Sequence, residues 1–499
     1  MRLSPDTLGS LPPEIERPGY DRNAITPGIV HLGIGAFHRA HQAWYTDAVL
    51  IRDPAWGIVA ASLRSPATRD ALEPQGGLYT LAVRSGAGET LRVVGAVREV
   101  LVAGESALAT QLLLDAMADP RVNIVSLTVT EKGYCHDPAS GTLNEDHPDI
   151  RHDLENPAAP RTAPGLIAAA LARRRAEGFR PFTVLTCDNL PANGTVAKRV
   201  IDRFAALRDR DLGAWVAGEL ACPATMVDRI TPATTDADRA AISAALGVED
   251  AWPVVTEPFT QWVIEDHFPT GRPMWELAGA QFAADVAPYE LMKLRLLNGA
   301  HSSLAYLGYL AGHETVADTM ADPVFARYVA GLMEEVTPTV QPHMPAGADL
   351  DGYKQALVAR FHNPALKHRT WQICMDGSQK LPQRLLGPIA DLIAAGRPFP
   401  YLALGVAGWM RYVTGVDEAG QPIDVRDPMA AELKRIADAA GRDPDRLARA
   451  LIAVKPVFGD ELPRNPAFTT GVVSALEQVL AGEAGHAVAR VTERPAPAR

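Results

Sequence analysis

The hydrophobic pattern divides the chain into a first part with short apolar runs and a second part with helical periodicity. In the first part, apolar runs of strand length at 29–32, 56–63, 122–129 and 182–185 are separated by longer stretches, several of them with helical spacing. Alternating strands and helices are typical of a parallel sheet covered by helices. From about residue 286 onward the period is almost wholly helical.

A glycine turn follows the first apolar run directly. Gly33 and Gly35 come after residues 29–32, and helical spacing begins near Phe37. Strand, glycine turn and helix form the first half of a dinucleotide-binding unit, because the glycines let a pyrophosphate approach the backbone and the helix N-terminus attracts its charge. His38 stands where the third glycine of the GxGxxG pattern is expected. The residues assigned to the cofactor here are Gly33, Gly35, Ala36 and Phe37.

These patterns predict an α/β fold class, with an N-terminal Rossmann-type dinucleotide-binding domain at 1–285 and a mainly α-helical domain at 286–499. Residues 78–102 are expected to form short strands in an antiparallel excursion, and the tail from Val491 is expected to be disordered. Eight helices are predicted in the second domain, at 289–312, 322–336, 351–361, 382–396, 400–413, 428–440, 444–453 and 468–481.

Loops after the later strands supply further candidate cofactor contacts. The second strand is followed by Arg64, whereas NAD enzymes usually carry an acidic residue there to hold the ribose 2′-hydroxyl. An arginine could meet a 2′-phosphate, so the choice between NAD and NADP stays open. The carboxyl ends of parallel strands form the ligand crevice, so Thr130, Glu131 and Lys132, which follow the strand 122–129, are candidate nicotinamide contacts.

Two polar residues follow later strands and belong to the same predicted rim. Asn189 comes after the strand 182–185, and Asp228 precedes Arg229 in the segment MVDRITP. Asn189 is equally typical of a turn or a helix N-cap, and an Asp–Arg pair can be purely structural. The residues alone leave both alternatives open.

The helical stretch 288–312 carries three polar side chains among apolar ones. On an α-helix, with about 100° per residue, Lys293 lies at 0°, His301 at about 80° and Asn298 at about 140°, so they share one arc. A helix that is apolar on most faces is buried, and burial lowers the pKa of a lysine, which makes Lys293 a candidate general base. Each residue alone could be a solvated lysine or a satisfied core histidine, but three together favour a functional site.

A cationic segment lies between two of the predicted helices. Lys367, Arg369, Lys380 and Arg384 follow one another closely there, beside Trp371. Such a cluster could hold a carboxylate; the alternative is a solvated helix entrance.

Composition excludes several classes of protein. The chain of 499 residues has a formal net charge of −11, which argues against a nucleic-acid partner. Its four cysteines are scattered without zinc spacing, and His38 and His41 are interpreted as a helix face without a metal. No signal-peptide h-region or membrane span is seen, so a reduced, cytoplasmic enzyme is expected, with no membrane partner.

Several segments, in order along nearly the whole chain, resemble one family. They are GIGAFHRAHQ, TVTEKGY, CDN followed by NG, MVDRITP, and the KxxxxNxxH spacing of Lys293, Asn298 and His301. Together they are similar to the polyol-specific long-chain dehydrogenases, the mannitol dehydrogenase family. The segments WQICMDGSQKLPQRLL and LALGVAGWMRY resemble its fructuronate reductase branch. Gln372 stands where mannitol dehydrogenases tend to place an arginine, which weakens the link to a neutral hexitol.

The resemblance implies an NAD(H)-dependent, zinc-independent oxidoreductase that acts on CH–OH groups and transfers hydride at C2 between D-mannonate and D-fructuronate. Mannitol 2-dehydrogenase or a related activity such as tagaturonate reductase stays an open alternative. By the resemblance, Lys293 is the general acid–base, Asn298 and Asn189 donate hydrogen bonds to the reacting oxygen, and His301 orients the substrate or the lysine. A non-catalytic sensor of the same fold would not need Lys293.

The resemblance also assigns residues that bind the substrate. These are Asp228, Lys380 and Arg369, with 286–499 as the substrate and catalytic domain. The expected partner is a small sugar acid or polyol, and the expected assembly is a monomer or a small homo-oligomer.

Overall fold

The computed structural model describes residues 1–137 and 140–493, and the chain divides into two compact units, Met1–Ala287 and Pro288–Arg499. The strands, all in the first unit, are β1 (Pro27–Leu32), β2 (Gly57–Ser62), β3 (Tyr79–Ser85), β4 (Gly88–Val94), β5 (Val97–Val102), β6 (Ile124–Leu127), β7 (Thr183–Thr186), β8 (Thr225–Asp228), β9 (Val254–Thr256), β10 (Gln261–Glu265) and β11 (Gln281–Ala283).

Five strands form a parallel sheet at the centre of the first unit. Their order is β5-β2-β1-β6-β7, and every neighbouring pair is parallel. The near-continuous apolar runs that predicted these strands fit a sheet covered on both faces. The direction in which strands are added reverses between β1 and β6. The carboxyl ends of those two strands therefore flank the point where an open α/β sheet binds its ligand.

Helices cover both faces of this sheet. On one face, the helical residues Leu113, Leu166 and Val200 pack into a common core with the strands. On the other face, Tyr45 from a helix does so together with Trp262 from strand β10. The helices of the first unit are α1 (Ala36–Ala40), α2 (Gln42–Val49), α3 (Ala67–Leu72), α4 (Ala107–Ala118), α5 (Thr130–Gly133), α6 (Pro148–Glu155), α7 (Ala163–Ala176), α8 (Asn193–Arg208), α9 (Arg210–Glu219) and α10 (Asp236–Leu246). The predicted fold class is confirmed.

The prediction for residues 78–102 is only partly correct. Strands β3 and β4 form an antiparallel hairpin, and β9 extends it into a three-stranded sheet of order β4-β3-β9. Strand β5, however, pairs in parallel with β2 at the edge of the central sheet. The chain leaves the hairpin at Gly95, and the carbonyl of Ala96 accepts from the N–H of Ile58 at 2.9 Å. Alternation predicted strands here, but it does not specify which neighbour a strand pairs with.

A third, small sheet has the order β11-β10-β8. Strand β8 runs antiparallel to β10, and Asp228, the last residue of β8, lies opposite Gln261. Asp228 therefore ends a strand of this sheet, not a strand of the five-stranded sheet.

The second unit is helical. All eight helices predicted there are present, with boundaries within a few residues of those expected, although two of them are interrupted. The helices are α11 (Ala287–Met292), α12 (Gly299–Leu310), α13 (Val316–Ala321), α14 (Pro323–Val336), α15 (Leu350–Phe361), α16 (Thr370–Ile373), α17 (Gly377–Leu381), α18 (Gly387–Ala394), α19 (Pro400–Tyr412), α20 (Ala430–Ala440), α21 (Pro444–Ile452), α22 (Lys455–Phe458), α23 (Pro466–Ala481) and α24 (Ala484–Thr492).

Helix α24 contains Val491, so the prediction of a disordered tail is wrong at that position. Residues 494–499, on which the rest of that prediction falls, lie outside the described residues.

The interruptions are two π-helical segments, Lys293–Asn298 between α11 and α12 and Pro382–Leu386 between α17 and α18. In the first, the N–H of Gly299 donates to the carbonyl of Leu294, five residues earlier. The sequence pattern predicted one regular α-helix over 289–312, which is wrong across this segment. The pattern of apolar residues does not distinguish a single wide turn from a continuous α-helix.

The two π segments lie against each other. A Cβ placed on Gly299 would come within 2.9 Å of the carbonyl oxygen of Arg384, so only glycine allows this approach. Pro388, one turn later, has no N–H to offer to that carbonyl, and a proline ring clashes with the carbonyl four residues earlier in an α-helix. The wider turn relieves that clash.

Helix α12 also packs closely against α19. A Cβ on Gly405 would lie 2.4 Å from Ser303 Oγ, and one on Gly408 would lie 2.9 Å from a methyl carbon of Leu307. Two glycines three residues apart thus let the backbones of α12 and α19 approach.

Neither a membrane-spanning helix nor a metal cluster is found in the described part of the chain. No helix in the ranges 1–137 and 140–493 has the length and hydropathy needed to cross a membrane. Within the same ranges, no three His, Cys, Asp or Glu side chains are grouped so that they could hold a metal ion.

Candidate active site

The glycine turn after β1 is tied to the loop after β6. Gly33 has φ +101°, and a Cβ there would lie 2.1 Å from the carbonyl oxygen of Thr128, so only glycine fits. The Thr128 hydroxyl donates to the Gly33 carbonyl at 2.6 Å. This bond joins the two loops at the carboxyl edge of the sheet.

The turn leads into the first turn of α1. Gly35 is the N-cap residue, and the first N–H groups of a helix, which here include those of Ala36 and Phe37, have no intrahelical partner. A Cβ on Gly35 would meet only the Gly33 carbonyl oxygen, at 3.9 Å, so the space beside it is open. The predicted cofactor residues of this turn therefore present backbone donors beside open space.

The loop after β6 is held in an uncommon conformation by Asp188, a residue that the sequence pattern did not single out. Thr130 has φ +63°, and its N–H donates to the Asp188 carboxylate at 2.9 Å, as does the N–H of Val129 at 3.0 Å. The Tyr134 hydroxyl donates to the same carboxylate at 2.8 Å. Burial raises the pKa of Asp188. The sequence signal that could have identified Asp188 is its position beside Asn189, just after β7.

A cavity of about 660 Å³ lies at the ends of β2 and β5, and its lining includes Arg64, Glu105 and Lys132. Of the predicted cofactor residues, the structure thus brings Arg64 and Lys132 to one cavity. Glu131 is exposed on the short helix α5. Glu105 forms an ion pair with Arg69.

Two further predicted residues lie in other parts of the first unit. Asn189 is exposed in the segment that follows β7, while Asp228 is buried at the end of β8. Arg229, next to Asp228, is a structural residue. Its guanidinium donates to the carbonyl of Ala40 at 2.6 Å and to the carbonyl of Glu257 at 3.1 Å.

In the second unit, the π turn changes the relation between Lys293 and Asn298. Both are half-buried, and they are the first and last residues of the π segment. A π-helix joins residues five apart by its backbone hydrogen bonds, so Lys293 and Asn298 lie one turn apart on the same face. The angle of about 140° that an α-helix implies between them is wrong, and the two side chains are closer in direction than the sequence predicted. Arg295 anchors the segment through Asp391, with 2.6 Å between Nη1 and Oδ2.

His301 follows on the first turn of α12 and lies in an aromatic and basic environment. Its ring stacks on Phe361, with the centroids 5.1 Å apart, and meets the ring of His368 edge-on at 4.8 Å. Burial places the pKa of His301 well below its usual value, and the nearby bases His368, Arg384, Arg360 and Lys380 lower it further. The imidazole is therefore neutral near pH 7, a form that both donates and accepts a hydrogen bond.

Two of the four predicted cations belong to this environment. Lys380 donates to the carbonyl of Met375 at 2.6 Å, and Arg384 donates to the Ser302 hydroxyl at 3.0 Å. Burial lowers the pKa of both Lys380 and Arg384, and Arg384 lowers that of Lys380 further. Arg369 points elsewhere, since its side chain is 61% exposed and lies 3.7 Å from the carboxylate of Glu314.

Two basic residues of this environment were missed. Arg360, at the end of α15, is buried, and it lowers the pKa of both His301 and His368. His368 lies within the cationic segment, between two exposed residues, and residue type gives no signal that it turns inward. The predicted alternative of a solvated helix entrance describes Lys367 and Arg369, both exposed, but not Lys380 and Arg384.

Comparison with known proteins places the chain in a class of oxidoreductases with a dinucleotide-binding unit and a helical unit. Residues 27–277 match the model of the mannitol dehydrogenase Rossmann domain, and residues 285–480 match that of the mannitol dehydrogenase C-terminal domain. The chain therefore belongs to the mannitol dehydrogenase family, as the resemblance predicted.

Individual relatives cover nearly the whole chain. A D-mannonate oxidoreductase of Escherichia coli (strain K12) is 49% identical over 93% of this chain and 96% of that protein. A mannitol 2-dehydrogenase of Aspergillus terreus is 42% identical over 93% of each protein. A solved structure, the Pseudomonas fluorescens mannitol 2-dehydrogenase in ternary complex with NAD and D-mannitol, is 41% identical, with a TM-score of 0.84 over 99% of this chain and all of that one.

Proposed function

We propose that this chain is an NAD(H)-dependent oxidoreductase that interconverts D-mannonate and D-fructuronate at C2. In this proposal residues 1–285 bind the dinucleotide, and residues 286–499 supply the acid–base chemistry and bind the sugar. The observation that carries the proposal is the group of bases around His301, namely Arg360, Lys380 and Arg384. A sugar acid brings the carboxylate that such a group attracts, whereas a neutral ketose does not.

The residues of the first unit fit a dinucleotide. The first-turn donors of α1 and the open space beside Gly35 suit a pyrophosphate, because helix N-termini attract anions. The neighbouring cavity of about 660 Å³ is of the size that cofactor sites have. Arg64 in its lining leaves room for either NAD or NADP, and NAD is favoured because the related structure described above contains it. When bound, NAD accepts or supplies the hydride.

Lys293 performs the proton transfer. Its Nζ takes the proton of the C2 hydroxyl in oxidation and returns a proton to the carbonyl oxygen in reduction. Asn298, one π turn away on the same face, donates a hydrogen bond to that oxygen while it carries partial negative charge. Asn189 is proposed for the same task on the strength of the family resemblance. Neutral His301 orients the substrate or the lysine.

The remaining assignments concern the rest of the sugar. Lys380 and Arg384 are proposed to face its carboxylate end, where charge-assisted hydrogen bonds are roughly twice as strong as neutral ones. Asp228 is proposed to contact substrate hydroxyls. Arg369, although predicted, receives no role, since its side chain is largely exposed.

The test is a comparison of two substrates under the same conditions. We expect reduction of D-fructuronate with NADH to have a higher kcat/KM than reduction of D-fructose, measured by loss of absorbance at the NADH band. A higher kcat/KM for fructose would overturn the proposal.

That outcome would favour the second candidate, mannitol 2-dehydrogenase. Its support is the similarity to the fungal and Pseudomonas mannitol 2-dehydrogenases described above. Gln372, exposed in α16, stands against it, because a mannitol enzyme tends to carry an arginine near that point of the sequence.

A further inference from the structure

In the segment that precedes α16, three consecutive basic residues, Lys367, His368 and Arg369, point in two different directions. Lys367 has φ +45°, which turns the chain sharply, and the carbonyl of His368 then accepts from the N–H of Val316 at 2.9 Å. Lys367 and Arg369 are exposed, whereas His368 between them is half-buried and lies against the ring of His301. The backbone conformation therefore directs the side chain of His368 inward and leaves those of its charged neighbours at the surface.

Two ring nitrogens in this pair have no hydrogen-bond partner among the described residues. They are Nδ1 of His368 and Nε2 of His301, and both atoms are buried. Leaving a buried polar atom unsatisfied destabilises the fold, so native proteins rarely leave one without a ligand or a water. Together with the bases Lys380 and Arg384 nearby, two such atoms on adjacent rings point to a place that an anionic ligand completes.

Two positively charged side chains act on His368. After burial, Arg360 from the end of α15 and Lys380 from α17 lower the pKa of His368. Arg384, from the second π segment, lowers the pKa of His301, the histidine whose ring His368 contacts. A neutral imidazole beside several cations is a good donor to an anion, because its N–H adds a hydrogen bond without adding to the mutual repulsion of the cations.

We propose that His368 is a specificity-determining residue, whose imidazole donates a hydrogen bond to the carboxylate of the sugar acid. The proposal rests on the function proposed above and adds to it the residue that distinguishes a uronate from a neutral ketose. Arg360, Lys380 and Arg384 supply the charge, and His368 supplies a directed donor. A neutral ketose presents a hydroxyl at the same end, which makes a weaker bond to the same ring.

The test measures kcat/KM for D-fructuronate and D-fructose in His368→Leu and His368→Asn. A hydrogen bond to a charged group contributes about 1.5–3 kcal/mol, so His368→Leu should lower kcat/KM for fructuronate by roughly ten- to a hundredfold, mainly through KM. Fructose reduction should change by about two- to tenfold at most, since a neutral hydrogen bond contributes about 0.5–1.5 kcal/mol. His368→Asn keeps a donor and should recover part of the loss.

The matched control is His362→Leu. His362 is exposed on the same segment, and its Nδ1 lies 2.8 Å from the carbonyl of Val358. This variant should leave both substrates unaffected. A second readout needs no turnover: D-mannonate should raise the melting temperature of the unmodified protein more than D-mannitol does, and His368→Leu should remove that difference.

The outcomes separate this inference from the proposed function. If the unmodified protein prefers fructuronate and both His368 variants lose activity equally on the two substrates, the inference is wrong and the proposed function stands. If the unmodified protein prefers fructose, the proposed function is wrong. A selective loss of fructuronate reduction in His368→Leu would still support the inference in that case, and an unchanged substrate ratio would overturn it as well.

Discussion

Each unit contains a pair of histidines whose rings are in contact, and the two pairs have different surroundings. In the first unit, the rings of His31 and His38 stack with centroids 3.4 Å apart. Here His31 is held by hydroxyl groups, with Nδ1 2.8 Å from Ser126 and Nε2 2.9 Å from Thr128. This pair lies under the glycine turn and joins β1 to the loop after β6.

In the second unit, His301 and His368 meet edge-on, with Arg360, Lys380 and Arg384 nearby. Burial lowers the pKa in both pairs, to about 3 for His31. In the first pair, His31 has fixed hydroxyl partners, although both ring nitrogens of His38 have no hydrogen-bond partner among the described residues. In the second pair, both rings lie among several bases. A lowered histidine pKa therefore does not by itself identify a functional site, and the neighbouring groups decide.

The largest expected effect separates catalysis in the second unit from stability. Lys293→Ala should lower turnover by at least about 10²- to 10⁴-fold, because it removes the general acid–base, while the melting temperature stays close to that of the unmodified protein. Steady-state rates with NADH and circular dichroism melting measure the two quantities. Lys434→Ala, which removes a half-buried lysine paired with Asp438 on the surface helix α20, is the control. Near-normal turnover in folded Lys293→Ala would disprove its role.

The histidine pair of the first unit should respond in stability. Replacing His31 by Leu leaves the hydroxyls of Ser126 and Thr128 without their imidazole partner in a buried setting, which should lower the free energy of unfolding by about 1–3 kcal/mol. Urea unfolding followed by tryptophan fluorescence measures this change. His368→Leu should cost less, since its Nδ1 has no partner in the described residues to lose. Equal losses in the two variants would remove the distinction between the pairs.

The pH dependence of stability should reflect both pairs. Their folded-state pKa values are lowered from 6.5, so below about pH 6.5 the unfolded chain binds more protons than the folded one. The free energy of unfolding should therefore decrease as pH falls from about 7.5 to 5.5. His301→Asn should reduce this slope, whereas His267→Asn, at an exposed position, should not. A slope that His301→Asn leaves unchanged would contradict the lowered pKa.

The smallest expected effect is that of metal removal. Prolonged dialysis against EDTA should leave the rate of NADH-dependent reduction unchanged, since proton transfer is assigned to Lys293 and not to a metal-bound water. Assays before and after dialysis, with and without added Zn²⁺, provide the measurement. Loss of activity that Zn²⁺ restores would replace this mechanism with a metal-assisted one.

The sequence by itself determined the local elements and the family. Apolar runs of four to eight residues predicted β1, β2, β6 and β7, because a strand buried on both faces must be apolar throughout. Helical periodicity predicted eight helices of the second unit, because a helix that packs on a core repeats its apolar residues with the helical period. The KxxxxNxxH spacing was enough to select Lys293, Asn298 and His301 as candidate site residues. These signals are local, because each of them is contained in one short segment of the chain.

Tertiary structure decided what depends on neighbours distant in the chain. Strand β5 joined the parallel sheet because its partner is β2, which alternation along β5 cannot reveal. The π turn that brings Lys293 and Asn298 onto one face is packed against a second one, from which it is separated by more than 80 residues. His368 points inward and Arg369 outward because of a backbone turn and a bond to Val316, not because of their charge. Residue type determines the chemistry that a side chain can perform, whereas packing determines where in the molecule that side chain lies.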